Sequence, residues 1–337
     1  MATTAHATSH DLSEAQHLEL LRNMLTQRAV DTRGFQLNRQ GKIAIAMGSE
    51  GHEAVQAGAG LAFVRGRDVL YPYYRNTGIA LACGLPIEDV FRSQFSRATD
   101  TSGGRSIINH FSARDRGLAS ISSIIASQCT HAAGAAYAFK LRGENDRAVL
   151  CTFGEGATSE GEWHEAMNFA AIHEVPVIWL CENNQWAIST PIAKQMRNTS
   201  VADRAASYGI EGVAVDGFDP IAVYLAVRTA REKAVAGGGP TLIEAKCYRF
   251  LSHTTDDDDR TYRTRDEVER QRAQDPVPRF ERYLVEQKLT TAEAIEALRR
   301  EVTRQVNEVT DRIEAEPLPN PSSLYPNVYA GPTEPWV

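Results

Sequence analysis

Only five cysteines occur in the 337 residues, at positions 83, 129, 151, 181 and 247. No two stand in a C-x-x-C spacing and their number is odd, which argues against a zinc ribbon, a redox pair or a disulfide framework. Cys151 and Cys181 fall inside apolar runs, where a thiol serves as a small core residue. A reduced intracellular compartment is expected. Long hydrophobic runs are missing too: none approaches the roughly 18 residues of a membrane-spanning helix. Excess positive charge is also absent, and a net charge of −7 gives no footing for nucleic acid or an anionic membrane. The opening MATTAHATSHDL lacks the apolar centre of a signal peptide, and the first arginine, Arg22, comes late for a mitochondrial transit peptide. The expected location is therefore cytoplasmic, or the mitochondrial matrix in a eukaryote. Residues 1–12 are expected to be disordered. There is no internal repeat and no low-complexity tract.

What is present is the make-up of an ordinary globular protein, 42% apolar and 23% charged. Ser13 to Gln40, with Leu18, Leu21 and Leu25, predicts a helix, and the small residues of Gly48 to Ala62 predict a closely packed one. Asp68 to Asn76 reads as a strand up to Pro72, then presents aromatics and Arg75. Helices follow over Thr77 to Cys83 and Ile87 to Phe95, then a polar surface loop over Ala98 to Gly117. Ile121 to Leu141 reads as a turn into a helix rich in small residues. Short strands at Val213 to Val215 and Thr241 to Cys247 flank a helix over Pro220 to Ala236. This alternation predicts an α/β fold, a doubly wound and mostly parallel sheet flanked by helices. Towards the end, Thr290 and Glu293 predict the cap of a helical extension. Its apolar positions are Ile295, Leu298, Val302, Val306, Val309 and Ile313, at helical spacing. Pro317, Pro319 and Pro321 stop it, and an extended tail is expected.

The most informative stretch is Gly154 to Thr190, GEGATSEGEWHEAMNFAAIHEVPVIWLCENNQWAIST. Arg147 to Phe153 is a buried strand that empties into the turn Gly154-Glu155-Gly156. Ser159 and Glu162 have the spacing of a capping box, so a helix is expected over Glu160 to His173. Pro176 to Cys181 is a second buried strand, ended by Glu182-Asn183-Asn184. Parallel sheets with helical crossovers bind ligands where their strands end. Glu155 and Asn184 would then meet at one rim, and a carboxylate beside an amide oxygen suits a hard divalent cation. The helix N-terminus next to them favours a phosphate.

That segment resembles the thiamine-diphosphate motif, which opens with Gly-Asp-Gly or Gly-Glu-Gly and closes with Asn-Asn at a similar distance. EGATSEGEWHEAMNFAA and ENNQWAIST look like the α subunit of the decarboxylating first component of 2-oxo acid dehydrogenase complexes. The likeness runs from about residue 40 to 316 and is greatest to the branched-chain (2-oxoisovalerate) type. It implies Mg²⁺ held by Glu155, Asn184 and the main-chain carbonyl of Trp186. It implies a diphosphate held by Arg75 and by the backbone of Gly156 and Ala157, with Tyr74 beside the cofactor. Gly156 and Ala157 equally suit a plain turn. ISSIIASQ matches the segment that holds the aminopyrimidine ring, through Ser123 and the backbone of Ile125; a helix cap followed by core is the competing reading. In some animal relatives the positions of Ser122, Ser127 and Gln128 hold K⁺. SHTTDDDDRTYR looks like the active-site loop, with His253 assisting the 2-oxo group or acyl transfer as a residue titrating near neutrality. Asp256 to Asp259 would order that loop against Arg260, Arg263 or Arg265. The other histidines at 52, 110, 131, 164 and 173 show no partner in the sequence.

The implied organisation is an N-terminal helical arm over 1–35, a thiamine-diphosphate-binding α/β domain over 36–265, C-terminal helices packed on it over 266–316 and an extended tail over 317–337. The implied partners are a β subunit, in an α₂β₂ heterotetramer, and a lipoyl-bearing acyltransferase core. The implied reaction is oxidative decarboxylation of a branched-chain 2-oxo acid such as 3-methyl-2-oxobutanoate. Pyruvate and acetoin enzymes share nearly all these motifs. A cofactor-binding assembly subunit without catalysis is a reading of another class. A nicotinamide-binding turn fits poorly, because Ser159 stands where a third glycine belongs. One departure stands out: branched-chain animal relatives carry an arginine two residues before the metal-binding asparagine, and this chain has Glu182.

Overall fold

A computed structural model describes residues 12–325. Of the disorder expected over residues 1–12, residues 1–11 lie outside it, as does most of the tail, while Leu12 is buried; of the tail, Pro321–Leu324 forms a 3₁₀ turn. Helix α1 (Glu14–Arg39) starts at a capping box. The Ser13 hydroxyl accepts from the Gln16 amide at 3.3 Å, and the Gln16 side chain accepts from the Ser13 amide at 2.9 Å. Helix α2 (Glu53–Ala62) begins five residues later than its composition suggests. Gly51 has φ +99° and a Cβ there would lie 2.0 Å from the Tyr248 carbonyl oxygen, so 48–52 runs as irregular backbone.

The centre is a five-stranded, wholly parallel sheet in the order β1-β2-β3-β7-β6. Its strands are β1 (Val69–Tyr71), β2 (Val149–Gly154), β3 (Val177–Asn183), β6 (Glu211–Asp216) and β7 (Thr241–Lys246). Between β3 and β6 lies a separate antiparallel hairpin, β4 (Trp186–Ala187) and β5 (Thr190–Pro191), which leads into the short helix α7 (Ile192–Gln195). β2 and β3 are apolar on both faces because both faces are covered. Leu150, Ile178, Leu180 and Ile243 point into the core shared with α1, α2 and α8 (Pro220–Val235). Val149, Cys151, Phe153, Trp179 and Cys181 point into a second core, with α5 (Ser127–Arg142) and α6 (Gly161–His173). Doubly wound packing follows directly. All five cysteines are free and buried. No helix of the described residues is long and apolar enough to cross a membrane.

Two caps differ from expectation. Ser159 closes a 3₁₀ turn over Glu155–Ser159, and α6 begins behind Glu160 with no side-chain cap. The Glu160 amide is already bonded to the Ala157 carbonyl at 3.1 Å, which ends the turn one residue after Ser159. Helix α11 (Ala292–Glu314) is capped by Thr291, whose hydroxyl accepts from the Ala294 amide at 3.2 Å; its neighbour Thr290 is not the cap. The expected apolar stripe of α11 packs on α1 and on α4 (Ile87–Gln94), Leu298 being only partly buried.

Asp31 of α1 lies beneath the site. It accepts from the Ser49 amide at 2.7 Å, and burial, with Glu53 and Glu50 nearby, pushes its carboxyl up to about 8 from 3.8. The folded value exceeds the unfolded one, so the stabilising effect of its proton is complete in acid and lost as pH rises through the folded value. Wild type should therefore lose stability relative to Asp31→Asn between about pH 4 and about pH 8, by up to about 1.4 kcal/mol per pH unit. Urea unfolding of both proteins across that range checks this; parallel curves would contradict it.

Candidate active site

The carboxyl ends of β1, β2, β3 and β7 open on a single cleft of about 210 Å³. Tyr74, Arg75, Ile125, Glu155, Gly156, Ala157, Asn184, Trp186 and His253 all line it, as do Ser122 and Gln128. Ser123 does not. Its hydroxyl turns away to His110, 2.7 Å from Nε2, whose Nδ1–H donates to the Ile108 carbonyl. In this irregular segment successive side chains diverge, so the residues on either side of Ser123 reach the cleft and Ser123 does not. The Ser127 hydroxyl donates to the Ile124 carbonyl, and the Gln128 amide donates to the Thr152 carbonyl.

Glu155 follows β2 directly and is buried. One carboxylate oxygen accepts from the Asn184 backbone amide and the other from Gln195 Nε2, both at 3.3 Å. Burial raises its pKa, opposed by its own backbone amide first, then by Gln195, the Asn184 amide and Arg249. A buried carboxylate with two long neutral donors is a group short of positive charge. Asn184, also buried, presents Oδ1 to the Trp186 amide at 3.1 Å. Gly156 has a steric reason of its own: a Cβ would come within 2.7 Å of the Ala187 methyl. Among the described residues, no cluster of three or more His, Cys, Asp or Glu could hold a metal, so a cation here would depend on Glu155, an amide and main-chain oxygens.

The opposite wall is cationic. Arg75, expected from the resemblance to hold a diphosphate, is buried and donates to the Gly48 carbonyl at 2.6 Å. Arg249, immediately beyond β7, is equally buried and donates to the Ile188 carbonyl at 2.8 Å and to the Tyr262 hydroxyl at 3.1 Å. Among the described residues neither guanidinium makes an ion pair with a carboxylate. Burial, with Arg75 and Arg263 nearby, lowers Arg249 to about 10. Two buried, uncompensated cations in one wall form a site for an anion. Sequence reasoning missed Arg249; its place just after a strand that ends at the same rim is the signal that could have found it.

His253 lies between them. Its Nδ1 accepts from Arg75 at 3.0 Å and from Arg249 at 3.3 Å, which places its proton on Nε2. Burial, then Arg75, then Arg249 hold it down to about 3 from 6.5. Titration near neutrality, expected from the residue type, is thus corrected: the ring is neutral, with its proton on Nε2. The loop carrying it is ordered as its acidic run suggested. Asp257 accepts from the His253 amide at 2.8 Å and from the Tyr262 hydroxyl. Arg263 is buried, pairs with Asp259 at 2.6 Å and donates to the carbonyls of Arg249 and Leu251. Among the described residues Arg260 pairs with exposed Asp258 alone.

Three histidines without an evident partner in the sequence have one here: His52 on Glu182, His110 on Ser123 and His164 on Tyr208. Glu182 itself does not face the cleft. Strand parity turns it with Ile178 and Leu180 towards α2, so the cation its position lacks is not replaced there; Arg249 stands in the wall instead.

Comparison with known proteins decides the family, because residues 21–322 match the dehydrogenase E1 component. The chain belongs to the dehydrogenase E1 component family. It is 42% identical over 331 residues to the 2-oxoisovalerate dehydrogenase subunit alpha of Bacillus subtilis, covering 98% of this chain and 100% of that one. Identity to the human mitochondrial 2-oxoisovalerate dehydrogenase subunit alpha is 38% over 319 residues, 94% of this chain and 71% of the human one. The 3-methyl-2-oxobutanoate dehydrogenase subunit alpha of Mycobacterium tuberculosis is 38% identical over 331 residues, 97% of this chain and 86% of its own length. As an E1 component, the chain has a cleft at the place where ligands of parallel sheets bind.

Proposed function

We propose that this chain is the α subunit of a branched-chain 2-oxo acid dehydrogenase that binds thiamine diphosphate and Mg²⁺ in the cleft. The observation that carries the reading is the pairing, across one cleft, of an undercompensated carboxylate with two uncompensated guanidiniums. A magnesium diphosphate complements both walls at once. Glu155, the Asn184 side chain and the Trp186 carbonyl would hold the metal; Arg75, Arg249 and the amides of Gly156 and Ala157 would hold the diphosphate. When bound, thiamine diphosphate supplies the nucleophilic carbon and the electron sink that decarboxylation of a 2-oxo acid requires. The chain's own contribution is positioning and electrostatics. His253 holds its proton at Nε2 and donates it in a hydrogen bond to a substrate oxygen, while Arg75 and Arg249 keep that ring neutral. Ile124, Ile125 and Ile188 leave an apolar mouth to the cleft, 70%, 40% and 53% exposed, which suits cover by a β subunit in an α₂β₂ assembly.

Co-expression with a β subunit tests the reading. CO₂ release that needs thiamine diphosphate should be faster from 3-methyl-2-oxobutanoate than from pyruvate, and acetoin should not be cleaved. Preference for pyruvate or acetoin would move the chain to those enzymes. Cofactor binding with no turnover of any 2-oxo acid would make it an assembly subunit.

A further inference from the structure

Glu182 is fully buried, yet no arginine or lysine contacts it among the described residues. Four other donors converge on it instead. Oε2 accepts from His52 Nδ1 at 2.6 Å, Gln56 Nε2 at 3.0 Å and the Tyr73 hydroxyl at 3.2 Å. Oε1 accepts from Asn76 Nδ2. Two of these donors, Tyr73 and Asn76, are the ends of the four-residue turn that carries Tyr74 and Arg75 into the cleft. Gln56 joins the carboxylate to that turn a third time, because its Nε2 also donates to the Arg75 carbonyl at 3.1 Å. Asn76 completes the frame by accepting from the Tyr73 amide at 3.1 Å and from Thr152 on β2.

A carboxylate that only filled space between α2 and β3 would not need to select its neighbours this way. An acceptor-only group lets every donor around it point inwards without conflict. We propose that Glu182 is a positioning residue for cofactor binding: its carboxylate fixes the Tyr73–Asn76 turn and so aims the Arg75 guanidinium at the diphosphate. This rests on the reading of the cleft as a thiamine-diphosphate site. Glutamine at 182 has nearly the same shape but brings an NH₂ group against these donors. Tyr73 can reverse its hydroxyl, but the amide groups of Gln56 and Asn76 cannot both be satisfied. If Gln56 rotates to accept, it releases the Arg75 carbonyl and turns its NH₂ towards the Ile79 amide, which its Oε1 now accepts at 3.3 Å.

The test is a double-mutant cycle on the complex with its β subunit, reading thiamine diphosphate affinity by calorimetry with Mg²⁺ present. Glu182→Gln alone should weaken affinity by about 10- to 100-fold, the usual effect of removing an outer supporting contact. It should raise the KM for cofactor while leaving kcat at saturating cofactor within about threefold of wild type. In an Arg75→Met background the same change should cost less than about twofold, because a misaimed side chain that is absent loses nothing more. Gln56→Met, which cuts the link to the Arg75 carbonyl and leaves the carboxylate in place, should show the same lack of additivity and serves if Glu182→Gln folds poorly. Full additivity with Arg75→Met in both variants, or a fall in kcat with unchanged KM, would overturn the proposal. No effect of Arg75→Met alone would overturn the cofactor reading itself.

Discussion

Glu155→Gln is expected to move the cofactor-free and the cofactor-loaded protein in opposite directions. Without a cation, Glu155 is a buried carboxylate whose pKa is raised by burial and whose donors among the described residues are neutral amides, those of Asn184 and Gln195 at 3.3 Å. The unfolded chain gives up this proton near the ordinary glutamate value and the folded chain only at higher pH. Between those values stability therefore falls as pH rises. Glutamine removes that dependence, so the unliganded variant should melt at or above the wild-type temperature near neutral pH. With Mg²⁺ and thiamine diphosphate the order should reverse. A ligand that binds only the folded state stabilises it by RT ln(1 + [L]/Kd), and loss of a direct metal ligand should weaken binding by more than about 100-fold. Thermal melts of both proteins, with and without the magnesium complex, decide the matter. An equal gain from cofactor in the variant would remove Glu155 from the metal site.

The second large effect is expected at Arg249. Arg249→Met keeps the length and apolar stem of the side chain but removes one of the two buried cations in the wall. Thiamine diphosphate affinity should fall on the order of 100-fold, since a hydrogen bond to a charged group is worth about 1.5–3 kcal/mol. The informative consequence is at His253. Its imidazole is held down to about 3 by burial, by Arg75 and by Arg249, in that order. Removing Arg249 should raise that value towards the ordinary histidine range without restoring it, because burial and Arg75 remain. An NMR titration of the His253 ring measures this. An unmoved His253 would mean that the electrostatic account of the wall is wrong, even if cofactor binding suffered.

How far the sequence foretold this depends on whether a signal was local. The strand–turn–helix–strand segment around Glu155 was legible because apolar runs, glycine punctuation and two strand ends lie within forty residues of one another. The α11 stripe was legible because helical spacing is a property of the segment itself. The cap positions at Ser159 and Thr290 were less so. Both neighbourhoods offer several hydroxyls and acids of equal chemistry, and a one-residue choice depends on how the preceding turn closes. Ser123 was misplaced for a related reason, since no periodicity tells which residue of an irregular segment faces inwards. Glu182 looked like a missing cation when read by its distance from Asn184; strand parity with Ile178 and Leu180 turns it to the other face. Its partners His52 and Tyr73 are more than a hundred residues away in sequence, beyond the reach of any pattern. Arg249 and the neutral state of His253 were hidden similarly, since both follow from burial beside Arg75, 174 and 178 residues distant.

Arg263 grips the backbone on which both Arg249 and His253 ride, through the carbonyls of Arg249 and Leu251, and is itself paired with Asp259. A cation and an imidazole that seem to be independent tools are therefore fastened by one rivet. Loosening it would free the backbone under both at once. Damage at Asp259, far out on the acidic run, would therefore reach the guanidinium and the imidazole by the same route.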